Sequence, residues 1–186
     1  MRRTRVLSAL VLASVAACAS DPVPVTVTPA SGFPPRAERI GDTFYINLPV
    51  DTEPFTSEVP GTPDRIFPLV AEVYEELGIP IQTFHAEAYI LGNARFTARR
   101  RVGPIALERI VDCGLGITGV NAASRPVTLH VVTQLKPLDS GLVRVETTVY
   151  GVSRPADGTS TNSTACSSRN GLEEYIANGI RKRAEG

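Results

Sequence analysis

The stretch Val127-Thr128-Leu129-His130-Val131-Val132-Thr133-Gln134-Leu135-Lys136-Pro137-Leu138-Asp139-Ser140-Gly141-Leu142-Val143-Arg144-Val145-Glu146-Thr147-Thr148-Val149-Tyr150 decides the fold. Val127, Leu129, Val131, Thr133 and Leu135 alternate with Thr128, His130, Val132 and Gln134. Val143, Val145, Thr147 and Val149 alternate with Arg144, Glu146, Thr148 and Tyr150. A period of two puts each set on its own face of a strand. The turn residues from Pro137 to Gly141 join the two runs as an antiparallel hairpin. One face of such a hairpin packs on a core and the other is polar.

Helical signals flank the hairpin on both sides. Upstream, Ile66, Phe67, Leu69, Val70, Val73, Tyr74 and Leu77 recur at three- and four-residue spacing, with Glu72, Glu75 and Glu76 facing solvent. Thr62 is placed as N-cap, Pro63 as the first helical residue and Gly78 as the residue that ends the helix. Pro68 removes one early backbone bond, so a kink or a start nearer Asp64 is expected. Downstream, a helix opening at Ser167 or Ser168 carries Leu172, Ile176 and Ile180 on one face and Glu173, Glu174, Arg181 and Lys182 outside, its acidic residues preceding its basic ones. The low-complexity segment 155–164 before it reads as a loop.

Shorter segments fill the rest. Thr43 to Leu48 reads as a first strand and Pro49 to Thr62 as a loop; Ile79-Pro80-Ile81 leads into a strand running to about Glu87, and a further strand runs from about Ala88 to Phe96. Thr97 to Val111 is ambiguous, with Ile105, Leu107, Ile110 and Val111 compatible with a short helix. The order β-α-β-β-(α)-β-β-α predicts an α+β fold, a two-layer sandwich of an antiparallel sheet with helices on one face.

The N-terminus has a different grammar. Arg2, Arg3 and Arg5 precede an apolar run from Val6 to Ala17, interrupted only by Ser8 and Ser14. That is the pattern of a secretory signal peptide over residues 1–17. About 12 apolar positions span roughly 18 Å as helix, short of the ~30 Å of a bilayer core. The alternatives are an ordinary signal peptide with Cys18 incidental and an uncleaved anchor. Val15-Ala16-Ala17-Cys18 resembles the lipobox of bacterial lipoproteins. The resemblance implies lipid attachment at Cys18 through a diacylglyceryl thioether and an N-acyl, palmitate-type chain, and hence anchorage to a membrane with the domain in the periplasm. Ala19 resembles the residue found in the outer-membrane-directed type.

Residues 18–39 follow as the lipidated cysteine and a tether. Five prolines among residues 19–38 oppose helix and central strand, and extended chain of this length reaches about 60 Å at ~3.1 Å per residue. Pairing of Val23 to Thr28 as an edge strand is the other reading. The globular domain then occupies residues 40–186, enough for one core.

Loss of residues 1–17 removes three arginines from nineteen basic side chains and no acid from nineteen, so the mature chain is slightly acidic. Such a balance gives no bulk attraction to nucleic acid or to anionic lipid. With lipid on Cys18, Cys113 and Cys166 remain as an even pair in an oxidising compartment, which reads as a disulfide; two buried free thiols are the alternative.

Residue types for chemistry are sparse. His85 and His130 are the only histidines, neither with a second ligand at metal spacing. Gly114, Gly116 and Gly119 precede a strand, so they are no dinucleotide fingerprint, and no cofactor is implied. No Gly-x-Ser-x-Gly or His-Glu-x-x-His occurs. Glu87 and Asp112 are the carboxylates on which an envelope hydrolase would have to rely, and a small-ligand binder would need a sizeable apolar cavity between sheet and helix. Arg95, Arg99, Arg100 and Arg101 are the one concentrated positive group, read either as contact to a phosphate or carboxylate polymer such as lipopolysaccharide or peptidoglycan, or as a solvated strand end.

At Asp112-Cys113-Gly114, Cys166-Ser167-Ser168 and Gly171-Leu172-Glu173 the chain resembles a group of uncharacterised bacterial lipoproteins, over about residues 64–182. The resemblance implies the Cys113–Cys166 disulfide and the domain limits, and no activity. More loosely, a Pro-rich tether followed by helix, Gly78-Ile79-Pro80-Ile81, strands and helix resembles the helix-grip lipoprotein subunit of the outer-membrane barrel-assembly machine. The expectation is a non-enzymatic lipoprotein whose domain binds a protein or polymer of the envelope.

Overall fold

The computed structural model describes residues 35–40, 44–49, 52–116, 119–139, 141–154 and 163–186. Residues 1–17, Cys18 and the tether up to residue 34 lie outside them. In chain order the elements begin with strands β1 (Pro35–Ile40), β2 (Phe44–Pro49) and β3 (Phe55–Pro60), helix α1 (Pro63–Glu76), and strands β4 (Thr83–His85) and β5 (Ile90–Ala98). Short pieces follow: β6 (Arg101–Val102), β7 (Ile105–Ala106), α2 (Leu107–Ile110), β8 (Val111–Asp112), β9 (Leu115–Gly116), β10 (Gly119–Val120) and α3 (Asn121–Ser124). The chain ends with β11 (Val127–Pro137), β12 (Leu142–Ser153), β13 (Thr164–Ser168) and α4 (Gly171–Glu185).

The fold is α+β, with a mostly antiparallel sheet. Seven strands form the main sheet in the order β4-β5-β11-β12-β13-β8, with β3 also paired to β12. β11 and β12 are the expected hairpin, in register from Val127↔Ser153 to Pro137↔Val143. Their odd-numbered residues from Val127 to Leu135 and from Val143 to Val149 are buried in the main core, with Leu91, Ile66, Val70, Val73, Leu172, Ile176 and Ile180. Two buried threonines stand in the middle of this apolar face. The Tyr74 hydroxyl is 3.0 Å from Thr133 Oγ1, which is 2.9 Å from Thr147 Oγ1, so each buried hydroxyl is satisfied.

The helices pack on each other as well as on the sheet. Gly179 of α4 sits so close to α1 that a Cβ there would meet the Val73 side chain at 3.0 Å. Glu76 accepts hydrogen bonds from Tyr175 Oη (2.7 Å) and Arg183 Nη2 (2.6 Å), and Arg183 Nε is 3.3 Å from Glu72. Arg65 Nη2 donates to the Ala184 carbonyl at the other end, 2.8 Å away, so the helices run antiparallel.

Helix α1 begins at Pro63 after Thr62 as expected, and runs unbroken through Pro68. It ends in a Schellman closure, in which Ile79 N donates to Tyr74 O and Gly78 N to Glu75 O. Gly78 takes φ +68°, open to glycine without strain.

Three local expectations are corrected. The segment Pro49 to Thr62 is not all loop, because Phe55–Pro60 pairs with β12 from Thr147↔Phe55 to Leu142↔Pro60. The last helix starts at Gly171, not at Ser167 or Ser168. Residues up to Ser168 instead extend along β12 and β8 as β13. Residues 35–39, assigned above to the tether, belong with Ile40 to β1, which pairs antiparallel with Phe44–Pro49; that strand overlaps the expected first strand from Phe44 to Leu48, Thr43 lying outside the described residues.

Candidate functional site

At the β8 edge of the sheet the disulfide and its neighbours form one cluster. Cys113 and Cys166 are bonded, S–S 2.04 Å, and both are buried. Asp112 Oδ1 accepts from Gly114 N (2.9 Å) and Asp112 Oδ2 from Arg169 Nη2 (2.6 Å). These two donors, the backbone N–H first, hold the Asp112 carboxyl below the usual carboxylate range. Arg169 N donates to Ile110 O, and a Cβ on Gly171 would stand 2.3 Å from Arg109 O. Ser168 Oγ accepts from Asn170 N and donates to Glu173 Oε1.

Glu173, expected on the outside of the last helix, is instead 2% exposed, because it turns back onto Ser168 at the sheet edge, and burial pushes its carboxyl up to about 7. The hydroxyl of Ser168 and the N–H groups of Glu173 and Leu172 oppose the rise, while Oε2 has no hydrogen-bond partner. Every residue of the Asp-Cys-Gly, Cys-Ser-Ser and Gly-Leu-Glu stretches thus lies where the start of α4 is tied to the sheet edge. Nothing in the cluster opens into a described cavity.

The carboxylates named for a hydrolase do not meet. Glu87 lies in the turn after β4 and Asp112 in β8, the two opposite ends of the strand order. Five strand spacings of ~4.8 Å put them about 24 Å apart along the sheet, whereas paired catalytic carboxylates stand about 5–9.5 Å apart.

His130 is 6% exposed and stacked on Tyr150 at 4.5 Å, with burial pulling its imidazole down to about 4. Its hydrogen bond to the Ala94 backbone opposes that shift, and Nε2 has no partner. Among the described residues no three His, Cys, Asp or Glu side chains gather as a metal site. No described helix is long and apolar enough to cross a membrane. The two described cavities, about 620 and 550 Å³, open on the outer surfaces of the helices and not between helices and sheet.

The arginine group gains definition. β5 ends at Ala98, opposite Val127, and Val127 lies opposite Ser153. One residue further, Arg99 and Arg154 flank Pro126, whose carbonyl accepts from Arg154 N. Their backbones are therefore about 10 Å apart, two strand spacings. Arg125 stands beside Pro126, with Nη2 near Gly116.

Arg100, at φ +64°, makes the tight turn in which Arg101 N donates to Arg99 O, so three consecutive arginines leave the same sheet end, all exposed. The fold thus adds Arg125 and Arg154 to Arg99, Arg100 and Arg101. Arg95 is set back in a bulge of β5, four residues (about 13 Å) before Arg99. The described ion pairs engage Lys136, Arg144, Arg169 and Arg183. None of the six arginines just named has a carboxylate partner among the described residues.

Charge uncompensated by local acids, on planar forks that accept two oxygens at once, suits a phosphate or carboxylate ligand with repeated anionic groups. No protein family's sequence profile matches the chain, and no curated protein is significantly similar to it.

Proposed function

We propose that this chain is a lipid-anchored protein of the bacterial envelope whose α+β domain binds an anionic envelope polymer and catalyses nothing. The observation that carries the reading is the arginine end of the sheet, where Arg99, Arg100, Arg101, Arg125 and Arg154 lie together with no carboxylate partner among the described residues. Support for the anchor comes from residues 1–18, whose basic start, apolar run and terminal cysteine have the lipoprotein pattern. Repeated anionic groups are needed because single exposed ion pairs contribute only about 0–1 kcal/mol, while several acting together on one polymer add up.

Two measurements test it. Mass spectrometry of the protein from membranes should find Cys18 as an acylated N-terminus; a free N-terminus at another residue refutes the anchor. Full-length protein in detergent should co-sediment with isolated peptidoglycan or with lipopolysaccharide at low salt, and less as ionic strength rises. No salt-dependent association with either polymer would refute the binding reading.

A further inference from the structure

We propose that the groove along the C-terminal half of α1 is a docking site for a short extended segment of another protein, one that carries an arginine or lysine between apolar residues. The groove encloses about 620 Å³ and is lined by Ala71, Glu72, Glu75, Ile79, Pro80 and Ile81. Its floor is apolar and its rim is acidic.

The apolar surface extends beyond the cavity. Ile81 is 38% and Phe84 58% exposed, three positions apart, so they add apolar surface beside the cavity. Phe84 rests on Phe67 with ring centroids 5.4 Å apart, and Phe67 lies one helical turn before Ala71. From Phe67 to Gly78 the strip follows α1 for about 16 Å at ~1.5 Å per residue, the length of about five extended residues. An open strip of that length along a helix suits a peptide laid out in extended form.

Charge selects the occupant. Helix C-termini favour cations, yet the last turn of α1 has no basic residue and carries Glu75 and Glu76. Glu76 is held by Arg183 and Tyr175, and Glu72 lies 3.3 Å from Arg183. Glu75 has no ion-pair partner among the described residues and stands at the groove with Glu72. A cationic head at Glu75 and the helix end, with its alkyl stem along Pro80 and Ile81, satisfies both halves of the surface. The Arg99–Arg101 turn lies beyond Leu77, which faces Gly103, and does not line the groove.

The groove is also preformed. The Schellman closure fixes Gly78 and Ile79, and buried Asn93 donates to the Pro80 carbonyl at 2.6 Å. A rigid wall spares the ordering cost on binding.

The test uses full-length protein in detergent and two dye-labelled hexapeptides, Ser-Ile-Arg-Leu-Val-Ser and the same sequence with Glu in place of Arg, with blocked ends. The arginine peptide should bind, and the glutamate peptide at least tenfold more weakly, in fluorescence anisotropy. Glu75→Gln and Ile81→Ser should each weaken the arginine peptide at least fivefold without moving the melting temperature, while Glu174→Gln changes nothing. Arg99→Ala/Arg154→Ala should leave peptide binding intact, which separates this site from the arginine end. Equal affinity for both peptides, no binding of the arginine peptide at millimolar concentration, or insensitivity to both groove substitutions would each overturn the proposal.

Discussion

Glu173 and His130 are two buried ionisable side chains whose effects on stability run in opposite directions with pH. Glu173 titrates near 4.5 when unfolded and about 7 when folded, so between those values the folded chain holds a proton that the unfolded chain has lost. Stability from this group is complete below pH 4.5 and falls as pH rises to 7, by about 1.4 kcal/mol per pH unit at most. His130 titrates near 6.5 when unfolded and about 4 when folded, so the unfolded chain gains a proton that the folded chain refuses. Its contribution is complete above pH 6.5 and is lost as pH falls to 4, with the same limiting slope. Between pH 4.5 and 6.5 the two slopes cancel. The expected melting temperature of the native chain is nearly level across that interval. That of Glu173→Gln rises with pH, and that of His130→Gln falls. Parallel profiles for all three proteins, measured by calorimetry, would show that neither side chain is buried as described. The sequence pattern puts Glu173 on the outside of the last helix, which the structure overturns, and shows His130 only as one of two histidines. His130 is buried against Tyr150 and Ala94, 20 and 36 positions away, whereas Glu173 bonds Ser168, only five positions before it, across a strand end that the sequence pattern reads as helix.

The elements repeat that lesson. The β11–β12 hairpin was legible because its alternation is long and its turn is short, and α1 because Thr62, Pro63 and Gly78 mark both its ends. β3 was not legible. Its residues Phe55 to Val59 alternate in burial, but Pro54 and Pro60 bracket a run too short to stand without its partner β12. β13 contains Ala165, Ser167 and Ser168, poor strand formers, and is held in place by pairing with β12 and β8 and by the disulfide. Ser168 looked like a helix cap in the sequence. Its hydroxyl does bond Asn170 N and Glu173, two steps outside the helix it was expected to open. Removing the disulfide with Cys113→Ser/Cys166→Ser frees a loop of 53 residues' separation, and should cost about 4 kcal/mol in urea unfolding. Gly171→Ala leaves the disulfide intact but drives a methyl into Arg109 O, with an expected loss of about 1–3 kcal/mol. If Gly171→Ala is as stable as the native chain, the close contact between α4 and α2 does not exist.

At the scale of the whole molecule the question is whether the binding surface follows the chain or the fold. A reader of the sequence groups Arg95 with Arg99, Arg100 and Arg101 because they are neighbours in the chain. The hairpin register groups Arg99 with Arg154, 55 positions away, across Pro126, and leaves Arg95 about 13 Å back along its strand. Arg125 and Arg154 flank the open end of the hairpin, so a register drawn from the sequence alone could have placed them; what it lacked was the position of β5 on the far side of β11. The two groupings predict different mutants. Arg125→Glu/Arg154→Glu should reduce polymer association at low salt severalfold, as strongly as Arg99→Glu/Arg100→Glu, and should flatten its dependence on ionic strength. Arg95→Glu should have a smaller effect than either pair. All of these side chains lack ion-pair partners among the described residues, and such surface changes shift stability by only about 0.5 kcal/mol, so melting temperatures should stay close to native. Co-sedimentation of the three variants with the polymer that binds the native chain measures the order. If Arg95→Glu proves the most damaging and Arg125→Glu/Arg154→Glu is silent, the surface lies on the β5 strand and not across the end of the sheet.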